Sequence, residues 1–384
     1  MKLILAIVFA GIIIVTVYKL YGVFWNKNLE VSINFDRDIL YEGEENTLRE
    51  VITNRKYLPI PILQVKFSIT RTFLFEHSDN TNVTDYYYRN EFFTVMPFQK
   101  ITRSYPFRCI HRGLFRMNKM DIIGRSVFLD SKMIESVEHE ACVCVLPKRI
   151  ATVEVPSKVN HLLGEVEKNL HINEDPFTFA GLRDYQPFDN MHSINWKVTA
   201  RLGELQVNTY NTTFSKKVVL LLNVDANSMS HSHEIIEWAI RITAHLSRVY
   251  ITKQIPVAMY TNGIDETQEN SVSVEAGADA GHIRTIEVAL ARLKSDTRPE
   301  AFEKLLKTRV VATKEPVEYL IISNSRKKEL TDCYEGLKAA GCSIHFIVPE
   351  YAYNLKDNEE SNSKYTYWVV SDEDESISDI RGFY

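Results

Sequence analysis

Cysteine is scarce and badly placed for cross-linking. Cys109, Cys142, Cys144, Cys333 and Cys342 are odd in number and scattered through 384 residues, which excludes a disulfide scaffold. A basic excess is missing too. The net charge is −5 with charged residues at 25%, so the chain lacks the cationic face a general nucleic-acid binder needs to neutralise phosphates. No glycine-rich phosphate turn follows a strand, which argues against a dinucleotide or nucleoside-triphosphate cradle. No serine stands on a nucleophile elbow, and no Cys/His arrangement has a recognisable context. Nor is there an internal repeat or a low-complexity segment. These absences point away from a hydrolase, and the chain reads as not an enzyme.

One long apolar run is present. Leu3 to Tyr18, LILAIVFAGIIIVTVY, carries no charge, and the apolar character resumes after Lys19 through LYGVFW. About 20 such residues cross a hydrocarbon core of about 30 Å. A cleaved signal peptide would need small residues after the run, whereas Tyr18, Tyr21, Phe24 and Trp25 are interfacial aromatics, so residues 1–26 read as a retained single-pass anchor. Lys19, Lys27 and Arg37 outnumber Lys2 and the free amine across it, which leans towards a cytoplasmic body at the cell membrane.

The remaining length suggests two domains. Residues 27–150 read as a β-sandwich-like domain of short alternating strands, with Pro59 and Pro61 in a connection between strands. Cys142 and Cys144 read as small core residues, and His139 beside them is a weak metal candidate. Residues 151–214 read as a linker or short helix followed by a dense polar and aromatic segment. Residues 215–350 alternate fully apolar strands with helices, as in a doubly wound α/β domain whose mostly parallel sheet is covered on both faces. Residues 351–384 form an acidic tail in which TYWVV offers a last strand. The fold class is thus a multidomain α+β chain with an N-terminal transmembrane helix.

The dense segment is GLRDYQPFDNMHSINWKVTARLG, residues 181–203. Its second half reads as a helix with Asp189 or Asn190 near the N-cap and Gly203 past the end. Lys197 and Arg201 share a face, with Trp196 and Ala200 on an adjacent one that could bury the tryptophan. Arg183, Asp184, Asp189 and Arg201 are candidates for structural ion pairs.

This run resembles the signature of the bacterial domain of unknown function 58 family, R-[ED]-Y-x-P-G-D-x-x-R-x-I-x-W-K-x-[ST]-A-R. Arg183, Asp184, Tyr185, Pro187, Asp189, Ile194, Trp196, Lys197, Thr199, Ala200 and Arg201 match, while Phe188, Asn190 and His192 depart from it. The resemblance implies a membrane-anchored protein with a von Willebrand factor A-like domain, acting as partner of a MoxR-type AAA+ ATPase in assembling or maturing other proteins. Such domains often carry a metal-ion-dependent adhesion site, D-x-S-x-S, completed by a second-loop Thr and a later Asp and suited to Mg²⁺. Here Asp225 is followed by Asn227 and Met229, the second loop at 276–281 has no hydroxyl, and Ser323 stands at the end of the later strand. This degenerate site points to a metal-free scaffold without cofactor. His231 and His233 read as solvated loop residues before a helix.

The expected function is therefore a non-enzymatic interaction scaffold, with Arg183, Asp184, Tyr185, Asp189, Trp196, Lys197 and Arg201 as its binding or structural signature. Two alternatives stand beside it: a surface adhesion or ligand-binding protein facing outward, and an enzyme with an unrecognised site around Arg183, Asp189 and Arg201. The expected partners are the membrane and a protein, not nucleic acid.

Overall fold

Strands of period two and strands of unbroken apolar residues separate into two compact units, Met1–Arg149 and Ile150–Tyr384. A computed structural model describes residues 2–70, 72–75, 81–83, 86–125, 132–171, 179–187, 189, 191–210, 217–225, 232–268, 270–294, 301–310, 317–351 and 365–370.

The first unit begins with α1 (Lys2–Phe24). Its described apolar side chains are exposed along much of its length, from Phe9 at 64% to Val23 at 57%, but Tyr21 and Trp25 at its C-terminal end are buried. Among the described residues no helix is long and apolar enough to cross a membrane, and the side chains of residues 2–7, 13, 14, 17 and 20 of α1 are outside that set.

Ten strands follow: β1 (Leu29–Phe35), β2 (Ile39–Tyr41), β3 (Glu45–Asn54), β4 (Ile60–Thr70), β5 (Phe73–Phe75), β6 (Thr81–Val83), β7 (Tyr86–Val95), β8 (Lys100–Cys109), β9 (Gly113–Arg125) and β10 (Lys132–Leu146). They form one sheet in the order β1-β3-β8-β5 and another in the order β2-β10-β9-β4-β7-β6. Pairing is antiparallel except between β10 and β2. Residues from both sheets, among them Ile33, Leu48, Phe73, Phe107, Val65 and Val143, share one core, as alternating strands of a two-layer sandwich should. Glu42 and Gly43 turn the chain between β2 and β3, and the φ of 89° at Gly43 suits glycine.

Two local readings change. Pro61 lies inside β4, at a register shift between Ile60 and Leu63 where the ladder is already broken and its missing donor costs little. Cys142 is exposed while Cys144 is buried. Cys144 is thus a buried core residue as read, while Cys142 is not, and Ala141, Val143 and Val145 fill the core shared by the two sheets. His139 Nε2 engages the backbone of Ile33, so the ring is a strand-edge contact.

The second unit opens with α2 (Ser157–His171), where the sequence suggested a linker or short helix. Val159, Leu162, Leu163 and Val166 fall at i, i+3, i+4 and i+7 and are buried in the core that also holds Trp368, so α2 is a layer of the fold. β11 (Phe179–Asp184), α3 (Trp196–Leu202) and β12 (Gln206–Tyr210) carry the signature segment. Then come β13 (Lys217–Leu222), α4 (Ser232–Thr252), β14 (Val257–Asp265), β15 (Ser271–Gly277), α5 (Ala280–Ala291), β16 (Leu293–Lys294), α6 (Phe302–Arg309), β17 (Val317–Ile322), α7 (Lys328–Ala339), β18 (Ser343–Tyr351) and β19 (Thr366–Val370).

The main sheet runs β15-β14-β13-β17-β18-β19, with β16 pairing β14. β13, β14, β17, β18 and β19 are parallel neighbours and β15 is an antiparallel edge. One core, with α2, α4 and α5, contains Leu220, Leu222 and Ile322, and a second, with α6 and α7, contains Val219, Leu221 and Ile321. Successive residues of β13 thus feed opposite faces, which is why the strand is apolar without alternation. TYWVV is the last strand, β19, and the acidic stretch after it lies outside the described residues.

Candidate functional site

β13 is flanked by β14 on one side and β17 on the other, so the chain direction across the sheet reverses there, and a doubly wound fold offers its ligand crevice beyond the carboxyl ends of those strands. Side chains of the protein fill that edge. Asn223, 2% exposed, accepts from Asp225 N–H at 3.0 Å and Asn262 Nδ2 at 2.9 Å, and donates through Nδ2 to Ser323 Oγ at 2.9 Å. Asn262 Oδ1 accepts from Val224 N–H at 3.0 Å, and Ser323 Oγ accepts from Ser325 N–H at 3.0 Å. A buried amide network of this kind ties three strand ends together and leaves its members' polar atoms engaged.

Asp225 points to a cation supplied by the same chain. Lys327, at the start of α7, donates from Nζ to Asp225 Oδ2 at 2.5 Å, and that hydrogen bond pushes the lysine's proton affinity up. Asp225 and Ser323, paired in the sequence reading as parts of one degenerate metal site, therefore serve different partners. Asn227, Met229 and His231 lie outside the described residues, whereas His233 is in the first turn of α4. In the second loop Asp279 is spent as the N-cap of α5, accepting from His282 N–H at 2.9 Å. Among the described residues no cluster of three His, Cys, Asp or Glu can hold a metal ion.

The signature segment is built the opposite way. β11 and β12 pair antiparallel, Ile194 bridges Val207, and Asn195 N–H donates to Gln206 O at 2.8 Å. Asn195 also bonds Asn208 Oδ1 through Nδ2 at 2.8 Å, and Thr199 Oγ1 accepts from Gln206 N–H at 3.1 Å. These bonds stitch the two-turn helix α3 onto β12. The N-cap of α3 is Asn195, whose Oδ1 accepts from Val198 N–H at 3.1 Å, and not Asp189 or Asn190. Residues 191–193 form a 3-10 turn that delays the helix, and Asn190 lies outside the described residues with Phe188. Gly203 closes α3 at φ 76°, the left-handed cap its position suggested.

Asp189 is instead the partner of Arg183. The guanidinium binds it twice, Nη1 to Oδ2 and Nη2 to Oδ1, each at 2.6 Å, and Gln186 N–H adds a bond at 2.8 Å. The hydrogen bonds from Arg183 hold the Asp189 carboxyl below its usual range. Asp184 Oδ1 accepts from Gln206 Nε2 at 2.5 Å, so of the four candidates for structural ion pairs two meet each other and one meets an amide. Arg201 and Lys197 are exposed and have no ion-pair partner among the described residues.

The expectation that Trp196 is buried does not hold. It is 63% exposed, because the bridge at Ile194 already takes the inward position and α3 is too short to bury a face of its own. Leu202 at 62% and Met191 at 69% are exposed in the same segment, with Leu182 and Leu205 exposed on the hairpin. The segment thus joins a held backbone to exposed apolar side chains. Sequence reasoning missed Asn223, Asn262, Lys327 and Asn195. Only Asn195 carried a legible signal, a good capping residue directly before the helix.

No curated protein matches the chain. Among solved structures, a CARDB domain from Pyrococcus furiosus is similar at 11% identity and a TM-score of 0.20, over 31% of this chain and 94% of that one. A cohesin–dockerin complex from Clostridium thermocellum is similar at 9% and 0.23, over 31% and 100%, and a PapD-like domain of human CEP192 at 11% and 0.21, over 32% and 87%. Likenesses this slight say nothing about what either unit does. The informative match is to a family: residues 181–315, from the signature hairpin to the threshold of β17, match the family described as protein of unknown function DUF58. Over that stretch the chain is similar to the DUF58 family.

Proposed function

We propose that the protein is a membrane-anchored, non-enzymatic interaction scaffold whose signature segment docks a protein partner, a MoxR-type AAA+ ATPase that assembles or matures other proteins. The observation that carries the reading is the exposure of Trp196 beside Lys197 and Arg201 on a hairpin fixed by Arg183–Asp189 and by Asn195. An exposed tryptophan on a rigid support, next to cations with no ion-pair partner among the described residues, has the composition of a binding hot spot. The committed Asn223–Asn262–Ser323 network and the Asp225–Lys327 pair favour a scaffold role for the sheet edge over a catalytic or cofactor role.

The second unit is read as von Willebrand factor A-like. Support comes from the strand order, with β13 central, an antiparallel edge at β15 and helices on both faces. A cytoplasmic body on a single-pass anchor formed by α1 completes the proposal. Its support is the uncharged run from Leu3 to Tyr18 and the exposure of Val8, Phe9, Ile12 and Val15, which water would not favour along a whole helix.

The test is a titration of the full chain, in lipid nanodiscs, with the MoxR-type ATPase of the same organism. Binding that weakens at least about tenfold in Trp196→Ala with Arg201→Glu supports the reading. Undiminished binding in that variant, or no binding by the parent chain, overturns it. A reporter fused to the C-terminus and active only outside the cytoplasm would overturn the orientation.

A further inference from the structure

The first unit carries an apolar surface beside the end of α1. Two loops make it: residues 55–59 between β3 and β4, and residues 96–99 between β7 and β8. Tyr57 is 86% exposed, Phe98 59% and Met96 56%, and the rings of Tyr57 and Phe98 meet edge to face at 4.7 Å between centroids.

These side chains are held out on purpose-built backbone. Asn54, fully buried, donates from Nδ2 to Leu58 O at 3.0 Å and to Met96 O at 2.9 Å, clamping the two loops together. Gln99 Oε1 accepts from Met96 N–H at 2.7 Å, and Phe98 sits at φ 55°, a left-handed conformation that a bulky residue adopts only where the surroundings impose it. Both loops cross from one sheet of the sandwich to the other.

α1 fixes where this surface lies. Lys56 Nζ donates to the Trp25 carbonyl, and Tyr21 Oη donates to Pro59 O at 3.2 Å, so the 55–59 loop climbs beside the last turn of the helix. From Trp25 back to Tyr21 is four residues, roughly 6 Å of rise towards the apolar run. Gly124 clears the way for the ring of Trp25: a Cβ there would stand 2.4 Å from it, so the helix end is seated tightly on the sandwich. If residues 3–22 occupy a hydrocarbon core of about 30 Å, Tyr57 and Phe98 stand at the level where the core gives way to headgroups. Lys56 and Lys100 flank the two loops in sequence, next to Tyr57 and Gln99, and Lys27 covers the face of Phe24 at 4.6 Å. Exposed aromatics on loops whose sequence also carries lysine suit an anionic bilayer interface in polarity and charge.

We propose that Tyr57, Phe98 and Met96 form a lipid-contacting rim that lays the first unit against the bilayer interface and so fixes its orientation at the membrane. The proposal rests on α1 being the anchor. It adds a second, structured contact between the sandwich and the lipid.

The test uses the full chain in vesicles of phosphatidylcholine and phosphatidylglycerol containing two photoactivatable lipids, one with its diazirine near the headgroup and one with it deep in the acyl chain. Labelled peptides are located by mass spectrometry. The expected pattern is acyl-chain labelling of residues 8–15 in α1, headgroup labelling of the peptides bearing Tyr57 and Phe98, and none at Asp38 on the opposite end of the sandwich. Loss of most rim labelling in Tyr57→Ser with Phe98→Gly, while labelling of α1 persists, supports the assignment; glycine suits the φ at 98. Labelled α1 with an unlabelled rim overturns the rim alone, including the case where a protein covers it. An unlabelled α1 overturns the anchor and the rim with it.

Discussion

The carboxyl edge of the main sheet and the signature hairpin place their chemistry in opposite ways. At the sheet edge, where a doubly wound fold most often takes a ligand, Asn223, Asn262 and Ser323 are buried and bonded to one another, and Asp225 has Lys327. On the hairpin, Arg183 and Asp189 bind each other and fix the loop, while Trp196, Lys197, Leu202 and Arg201 face solvent. Inward-satisfied polar groups stabilise, whereas outward apolar groups on a fixed backbone are available to recognise. A fold's customary site and a protein's chemically available surface need not coincide.

If that contrast is right, the largest stability loss comes from the sheet edge. Asn223→Ala removes the acceptor for Asp225 N–H and Asn262 Nδ2 and the donor to Ser323. Leaving buried partners unpaired is expected to cost about 2–4 kcal/mol, read as a lower urea midpoint for the second unit. A loss under about 0.5 kcal/mol, the scale of a neutral surface change, would mean the network is not structural.

Trp196→Ala should behave in reverse. With 63% of the residue exposed, its removal should leave the unfolding midpoint within about 0.5 kcal/mol of the parent, while binding to the proposed ATPase partner should weaken at least about tenfold. A large fall in stability with unchanged binding would erase the distinction between the two regions.

Much of this division was legible in the residues, and the failures have physical causes. The apolar run VVLLL betrayed a strand buried on both faces, and Gly203 betrayed the end of α3, because each follows from local chemistry. Trp196 was misplaced because helical periodicity says which residues share a face but not whether that face has anything to pack against. α2 was undervalued because its buried positions, Val159, Leu162, Leu163 and Val166, are diluted by Lys, Glu and His in the same turns. Lys327 as the partner of Asp225 joins residues about a hundred positions apart, and a strand order of β14-β13-β17 is needed before they become neighbours. Long-range pairs of this kind have no spacing to read.

Lys327→Met sharpens the comparison with a smaller effect. The pair is partly exposed, 47% for Lys327 and 35% for Asp225, so its loss should cost no more than about 1 kcal/mol. The lysine's raised proton affinity is a folded-state gain that is complete below its ordinary value of 10.5 and disappears as the pH climbs through the folded value. The parent should therefore lose stability relative to Lys327→Met only in strongly alkaline solution. Calorimetric titration of the parent with Mg²⁺ should show no saturable heat, and saturable binding lost in Asp225→Ala would show that the sheet edge is open after all.

The smallest expected effect lies at His245, on the α4 side of the sheet. Its ring stands edge-on to Trp368 at 5.9 Å, and burial pushes its proton affinity below the ordinary value of 6.5, opposed in part by a hydrogen bond with the backbone of Ile150. The folded chain thus holds a neutral ring where the unfolded chain would take a proton. The stability tied to that neutrality is complete above about pH 6.5 and is lost as the pH falls through the depressed folded value. Thermal unfolding of the second unit should shift down modestly between pH 7.5 and pH 5, and His245→Gln should flatten that shift. Because the signature hairpin has no such buried ring among its described residues, partner binding in the Trp196 assay should follow unfolding over this range and not precede it. Binding lost at a pH where the unit is still fully folded would separate binding from folding and overturn this expectation.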